Sequence, residues 1–445
     1  MHVLRSRPPL LDNAAVHFTL QVENFDHVRR AYGEDIARIA LSSLHRLLTD
    51  LVQTDGVIVP EMHGTIDVLV WNLSVLGSGP LWEACRDWLD TLCRLVPLIA
   101  VETALGPIHL WLKGSWLIAE DAAVDQVDGA GRSGSLNIRF FGDAPSDSET
   151  WAERYRADMS LASKVLTSVA PVDLSRDPTH ALVLYWQPIR DARAPSSVLY
   201  HEALLRLVDE DCTAASPSSV FPALERLGFV RIIDQYVVSQ VIDELEASPD
   251  AVIGVNISAR SVLGDDWWDE IRGRLKFAPG LAHRLVVEIT ETAGMPDISG
   301  AVRFASGLRR LGCRIALDDF GTGFASVRQL LALSPDIVKI DRFFLRRSLN
   351  GDRQRATLKH LIALACSLDA AVVVEGVETV EQARLVCDAG AGWQQGYHWG
   401  RPAVSRIRCS TPAGVEGPHL SGAIDGFDVA GADCAAKLMS EAVHR

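Results

Sequence analysis

Asp318 and Asp319 stand side by side at the end of the apolar run Arg314-Ile315-Ala316-Leu317, and Phe320-Gly321-Thr322-Gly323 follows at once. Two adjacent carboxylates repel each other unless something cationic satisfies them. A metal or phosphate site at the carboxyl end of a buried strand has this form. A plain strand end with a turn has it too, because Asp and Gly are ordinary turn residues. The pattern recurs: Glu202, Asn256, Glu288, Lys339 and Glu375 each lie at or near the end of a similar apolar run. One acid there is a cap or a turn. Four carboxylates, an amide and a lysine gathered on one rim would be an oxygen-ligand site for a hard cation. A purely structural role would leave several of these groups buried without partners, at a cost of several kcal/mol.

The elements that must carry these side chains are runs at 181–188, 197–206, 251–258, 285–291, 314–320, 336–341 and 371–376, with a shorter eighth near 396–399. Continuous Val/Ile-rich runs predict strands buried on both faces and largely parallel. Helical patterns over 298–311 and 355–368 fall between them. Eight such units in about 230 residues predict an α/β fold, a (β/α)8 TIM-like barrel whose strand ends converge on one face.

The first half reads differently. A strand is expected over 18–25 and a helix over 26–51, with Val28, Ile36, Ile39, Ala40, Leu44 and Leu47 on one side. Strands at 56–60 and 67–71 flank a hairpin turn at His63-Gly64-Thr65. A helix over 81–96 and a strand over 107–116 follow. Ser146 or Ser148 could then cap a helix that carries Trp151, Tyr155, Met159, Ala162 and Leu166 on one stripe and ends at Pro171. That helix is expected to link the two halves. Beyond residue 407 the barrel pattern stops; 410–431 reads as loop, and 435–443 could form a short closing helix. The division expected is 1–143, a linker at 144–178, a barrel at 179–405 and a tail of unknown role at 406–445.

The formal net charge of -14 on 445 residues argues against a general DNA or RNA binder. A small phosphorylated ligand held by a few arginines and metal ions remains compatible with it. No apolar run approaches the ~20 residues of a membrane span, and no apolar stretch follows Arg5 and Arg7 to make a secretory signal. The eight cysteines are scattered without a C-x-x-C pair. Reduced, mostly buried thiols in a cytoplasmic protein are expected.

Glu202-Ala203-Leu204 with Arg206 resembles the signature of EAL domains, the cyclic-di-GMP phosphodiesterases. Further blocks match in order and spacing: 255–260 around Asn256, Glu288-Ile289-Thr290-Glu291, Asp318-Asp319-Phe320-Gly321-Thr322-Gly323, Val338-Lys339-Ile340-Asp341, 375–379 after Glu375, and Gln395-Gly396-Tyr397. The resemblance covers roughly 179–403. It implies that Glu202, Asn256, Glu288 and Asp318 hold one Mg²⁺ or Mn²⁺. It implies that Asp318 bridges to a second ion, held also by Asp319 and Glu375. Lys339 would position the attacking water, and Glu202, Lys339 and Glu375 would carry the catalysis. Gln187, Arg206 and Gln395 would bind the dinucleotide, and Glu291 would anchor the loop after the Asp pair. The implied reaction opens cyclic-di-GMP to linear pGpG, in a homodimer. Phe324-Ala325-Ser326 and the His398-Trp399 pair depart from the family pattern without touching an implied ligand. A receptor that binds cyclic-di-GMP without cleaving it, or a scaffold, stays open, although receptor-type members usually lack some metal ligands and this chain lacks none.

The first half resembles a GGDEF domain, the diguanylate cyclase module, at Asn24-Phe25 and Tyr32-Gly33. The family's first metal-binding Asp aligns with Gln21. Its guanine-contacting pair aligns with Arg29-Arg30, and its signature loop with His63-Gly64-Thr65-Ile66-Asp67. Carboxylates for Mg²⁺ and a glycine pair for the triphosphate are missing there. The resemblance implies a degenerate, regulatory domain without cyclase activity, with GTP or another effector as its ligand. An unrelated α+β sandwich gives the same order of elements.

Overall fold

The computed structural model describes residues 16–60, 64–76, 79–118, 133–140, 142–170, 181–208, 214–215, 217–290, 295–321 and 327–406. The expectations for Glu291, for 322–326, for Pro171 and for the tail from 407 lie outside the described residues. The chain divides into two compact units. One holds 1–178 with 220–229 and 265–267, and the other holds the remainder.

The first unit is built on a five-stranded antiparallel sheet. Its strands run in the order Gly56–Pro60, Thr65–Val70, Val16–Val22, Leu112–Ile118, Ser133–Ser135. Val16, Phe18, Leu20 and Val22 alternate onto one buried face of the central strand. The helix Leu81–Leu95 lies on that face, where the Phe18 and Trp88 rings are 4.5 Å apart between centroids.

The single helix expected over 26–51 is two helices, Phe25–Tyr32 and Glu34–Val52. Gly33 separates them at φ 90°, a conformation open to glycine and strained for other residues. The break resets the helical phase. Ala37, Ala40, Leu44 and Leu48 face inward, and Ile39, expected on the apolar side, is 51% exposed.

The strand expected over 107–116 is also divided. Gly106–Ile108 pairs with Val101–Thr103, and Leu112–Ile118 pairs with Val16–Val22. Between them the buried Asn24 side chain takes over the backbone. It accepts from Trp111 N at 2.9 Å and donates to His109 O at 2.9 Å, in place of ladder bonds. The helix Glu149–Val169 begins as expected, with Ser148 accepting from Trp151 N at 3.2 Å, and it buries Trp151, Tyr155, Met159, Ala162 and Leu166.

The second unit contains a closed eight-stranded barrel. Its strands are Ala181–Asp191, Val198–Val208, Ile253–Ser258, Leu285–Thr290, Arg314–Phe320, Ile337–Ile340, Ala371–Val374 and Trp393–Gln394. From the second strand onward each neighbour is parallel. The first strand closes the ring antiparallel to both of its neighbours. That is a departure from an all-parallel (β/α)8 barrel. The connection over 192–197 is too short to cross a sheet, so the first two strands must form a hairpin.

The eighth strand is also displaced from the 396–399 expected. Gly396, at φ 152°, packs so closely that a Cβ there would strike the Val377 backbone. Trp399 N then bonds back to Gly396 O at 3.0 Å, which makes the stretch a turn.

Two layers of side chains fill the barrel. Tyr200, Val286, Ala316, Ile337 and Val373, with Ile189, make a buried lower layer. Two residues further along the same chain segments stand Glu202, Glu288, Asp318, Lys339 and Glu375. The two-residue repeat of a strand carries both layers on the inner face. No described helix is long and apolar enough to cross a membrane.

Candidate active site

Asp318 and Asp319 are neighbours in one strand, so an ordinary pleat would send them to opposite faces. The strand avoids this. Its pairing with Ile337–Ile340 shifts register between Leu317 and Phe320, and Asp319 takes φ 54°. A bulge with a left-handed residue re-aims side chains, and a non-glycine residue there costs about 1–3 kcal/mol. One carboxylate oxygen each from Asp318, Asp319 and Glu375 lies within 4.8 Å of the others. Glu202, Glu288 and Asp318 form a second group of the same kind, so Asp318 belongs to both.

Lys339 stands at the centre, 1% exposed. Its Nζ is 2.7 Å from Glu288, 2.8 Å from Glu375, and 3.1 Å from both Glu202 and Asp318. Glu202 is held further by Gln395 Nε2 at 2.5 Å and by Asn256 Nδ2 at 2.6 Å. The contacts of Lys339 with Glu288 Oε2 and Asp318 Oδ1 are ion pairs. Glu288 Oε1 and Asn256 Oδ1 have no hydrogen-bond partner among the described residues.

One ammonium cannot neutralise five carboxylates. Burial opposes the charge on Glu202, but Lys339 and the two amide donors overcome it and hold the carboxyl below its usual range. The others lose the competition. Burial, with Glu202 and Asp318 nearby, pushes Glu288 up to about 8 in spite of Lys339. The Asp318 charge, then burial, pushes Asp319 up to about 7. Burial raises Asp318 and, more strongly, Glu375. Burial also works against the Lys339 ammonium, yet the surrounding carboxylates, Asp318 foremost, drive it well above the usual lysine range. The site is therefore short of positive charge. Buried acceptors without donors and an all-oxygen set of acids and amide fit one or more hard divalent cations.

The sequence-derived residues gather here. Gln187, Glu202, Arg206, Asp318, Asp319, Glu375 and Gln395 line one cavity of ≈ 450 Å³. Asn256 bonds to Glu202 of that lining, Lys339 pairs with its Glu202, Asp318 and Glu375, and Glu288 pairs with Lys339. Gln187 donates to Gly400 O at 3.0 Å, and Gln395 donates to Gln187 Oε1 at 3.3 Å. Arg206 donates to Leu205 O at 2.8 Å and sits 5.7 Å from the Tyr185 ring centroid.

Asp341, Glu378 and Tyr397, which the sequence placed in matched blocks without a role, and Arg342, which it missed, also stand in the cavity wall. Sequence reading also missed Gly254, where a Cβ would collide with Glu288 Oε1 and the Tyr200 ring. A glycine inside the run Val252-Ile253-Gly254-Val255 is the signal that marks such a close approach.

The family model for the EAL domain matches residues 173–402, just over half of the 445 residues. The chain belongs to the EAL domain family. An uncharacterized protein of Azorhizobium caulinodans is 32% identical over 428 residues, which is 93% of this chain and 54% of that protein. The cyclic di-GMP phosphodiesterase PdeF of Escherichia coli is 31% identical over 220 residues, 48% of this chain and 29% of that protein. The crystal structure of an EAL domain protein from Listeria monocytogenes EGD-e is 27% identical, with a TM-score of 0.45 over 50% of this chain and 88% of that one. The chain spans about half or less of the length of these curated relatives. The acid cluster, the cavity and the matched blocks all lie within the EAL region.

Proposed function

We propose that this EAL protein hydrolyses cyclic-di-GMP to linear pGpG with two divalent cations, Mg²⁺ or Mn²⁺. The observation that carries this reading is the pair of acid clusters joined by Asp318. Glu202, Asn256, Glu288 and Asp318 would hold one ion, and Asp318, Asp319 and Glu375 the other. Bound there, the ions would supply a nucleophile at neutral pH and a clamp for the attacking and leaving oxygens.

The chain's own residues do the rest. Lys339 donates to the attacking water and fixes its direction without adding negative charge. Glu202 is oriented for its role by Gln395 and Asn256. Arg206 presents planar donors to a phosphate oxygen at the cavity wall. Gln187 and Gln395 offer amide groups to the dinucleotide. Similarity to PdeF supports the choice of substrate.

The first unit is read as a degenerate GGDEF-like regulator in a homodimeric protein. Gln21 stands on an exposed strand position opposite Thr65, and Arg29 and Arg30 pair with Asp26 and Asp147. The test is product analysis. Purified protein with Mn²⁺ or Mg²⁺ is expected to convert cyclic-di-GMP to pGpG, and chelation is expected to stop it. Tight binding without conversion, unchanged by Glu202→Ala, would replace this reading with a receptor.

A further inference from the structure

Glu202 Oε2 receives its closest bond, 2.5 Å, from Gln395 Nε2. The chain of bonds continues from there. Gln395 Nε2 also donates to Gln187 Oε1 at 3.3 Å, and Gln187 Nε2 donates to Gly400 O at 3.0 Å. Both glutamines are buried. Gly400 is held in place on both sides. Its N–H bonds to Gly396 O at 3.2 Å, and Ala403 exchanges backbone bonds of 2.8 and 3.1 Å with Trp186, the neighbour of Gln187. A side-chain amide has a donor end and an acceptor end and can present either, whereas a backbone carbonyl only accepts. Gly400 O therefore draws the NH₂ end of Gln187 and turns Oε1 toward Gln395. That oxygen draws the NH₂ end of Gln395, whose second proton is left for Glu202. The reversed amide would set Gln395 Oε1 against the Glu202 carboxylate, acceptor against acceptor.

We infer that Gln187 is a positioning residue for Glu202: through Gln395 it passes the polarity of the Gly400 carbonyl along the amide chain and fixes a donor on Glu202 Oε2, besides facing the dinucleotide in the cavity. The inference rests on the reading of Glu202 as a cation ligand. Partners that orient a ligand without touching the ion change its affinity by about 10–100-fold. A contact with the dinucleotide alone acts on KM and leaves metal binding untouched when no nucleotide is present.

The test is Mn²⁺ binding to the full chain without nucleotide, read from the spin-resonance signal of free Mn²⁺. Gln187→Leu is expected to weaken binding about tenfold, and Gln395→Leu at least as much. In the Gln395→Leu background, Gln187→Leu is expected to add nothing, because the chain is already cut. Where Gln187→Leu does not fold, Gln187→Asn, one methylene too short to reach Gly400 O and Gln395 together, is expected to give the same loss. Mn²⁺ affinity equal to wild type in a folded Gln187 variant would overturn the inference, whatever happens to KM. So would losses that add in full in the double variant. If wild type itself binds no Mn²⁺, the reading of Glu202 as a cation ligand fails and the inference with it; intact wild-type affinity confines the failure to Gln187.

Discussion

Asp318 belongs to both acid clusters, so its removal should cost more than that of any other acid. Asp318→Ala is expected to lower turnover of cyclic-di-GMP on the order of 10³-fold, since cation assistance is worth several kcal/mol. Mn²⁺ binding should be lost with it, and a variant that binds normally would contradict the shared role. Lys339→Met should separate stability from turnover. Without metal it leaves the acids with no cation, at about 3 kcal/mol of stability. Added Mn²⁺ should restore that stability but not turnover, as urea unfolding with and without metal would show. The pH dependence follows from Glu288 at about 8 and Asp319 at about 7. Below these values the carboxyls hold protons that a cation must expel, so apparent Mn²⁺ affinity should rise from pH 6 to pH 9. Titrations at those pH values that coincide would refute it. These residues were legible in the sequence because each carries its chemistry in a short local motif. Gly254 was not, because its importance arises only where separate strands bring Glu288 and the Tyr200 ring against it.

Elements decide how those side chains are presented. The bulge that turns Asp318 and Asp319 the same way was hidden in an unbroken apolar run, since nothing in the residue types announces a left-handed aspartate. The opening hairpin of the barrel was legible in principle from its six-residue connection, but the Val/Ile pattern favoured parallel neighbours. In the first unit, Gly33 was visible as a glycine but not as a change of helical phase. Gly254→Ala is the test of an element's fit. The added methyl must displace Glu288 or Tyr200, an overpacking worth about 1–3 kcal/mol. The midpoint of urea unfolding should fall accordingly.

A second element-level prediction concerns His109, which ties the edge of its sheet to the helix Glu149–Val169. Its Nδ1–H donates to Pro97 O at 2.8 Å, and Nε2 accepts from Ser163 Oγ at 2.9 Å. Burial, against the Pro97 bond, lowers this imidazole from 6.5 to about 4. The unfolded chain takes the proton first, so acid favours unfolding. The contribution is intact above pH 6.5, and about 3 kcal/mol is lost by the time pH reaches 4. Urea unfolding of wild type should weaken over that window, and His109→Gln should flatten the slope.

At the scale of the whole molecule, two compact units were foreseeable from a change of pattern along the chain. The assignment of 220–229 and 265–267 to the first unit was not, because compactness is a property of contacts and not of order. In the reading proposed above, the first unit is a GGDEF-like domain without the cyclase carboxylates. Incubation with GTP and Mg²⁺ is expected to yield no cyclic-di-GMP, and any product would reverse that reading. The lower layer of the barrel has a further consequence. With Tyr200, Val286, Ala316, Ile337 and Val373 packed shut beneath the acids, the cavity is a cul-de-sac. A molecule that has reacted there must back out by the way it came in. Linear pGpG should therefore compete with fresh cyclic-di-GMP for the same doorway, and its accumulation should raise KM while leaving kcat untouched.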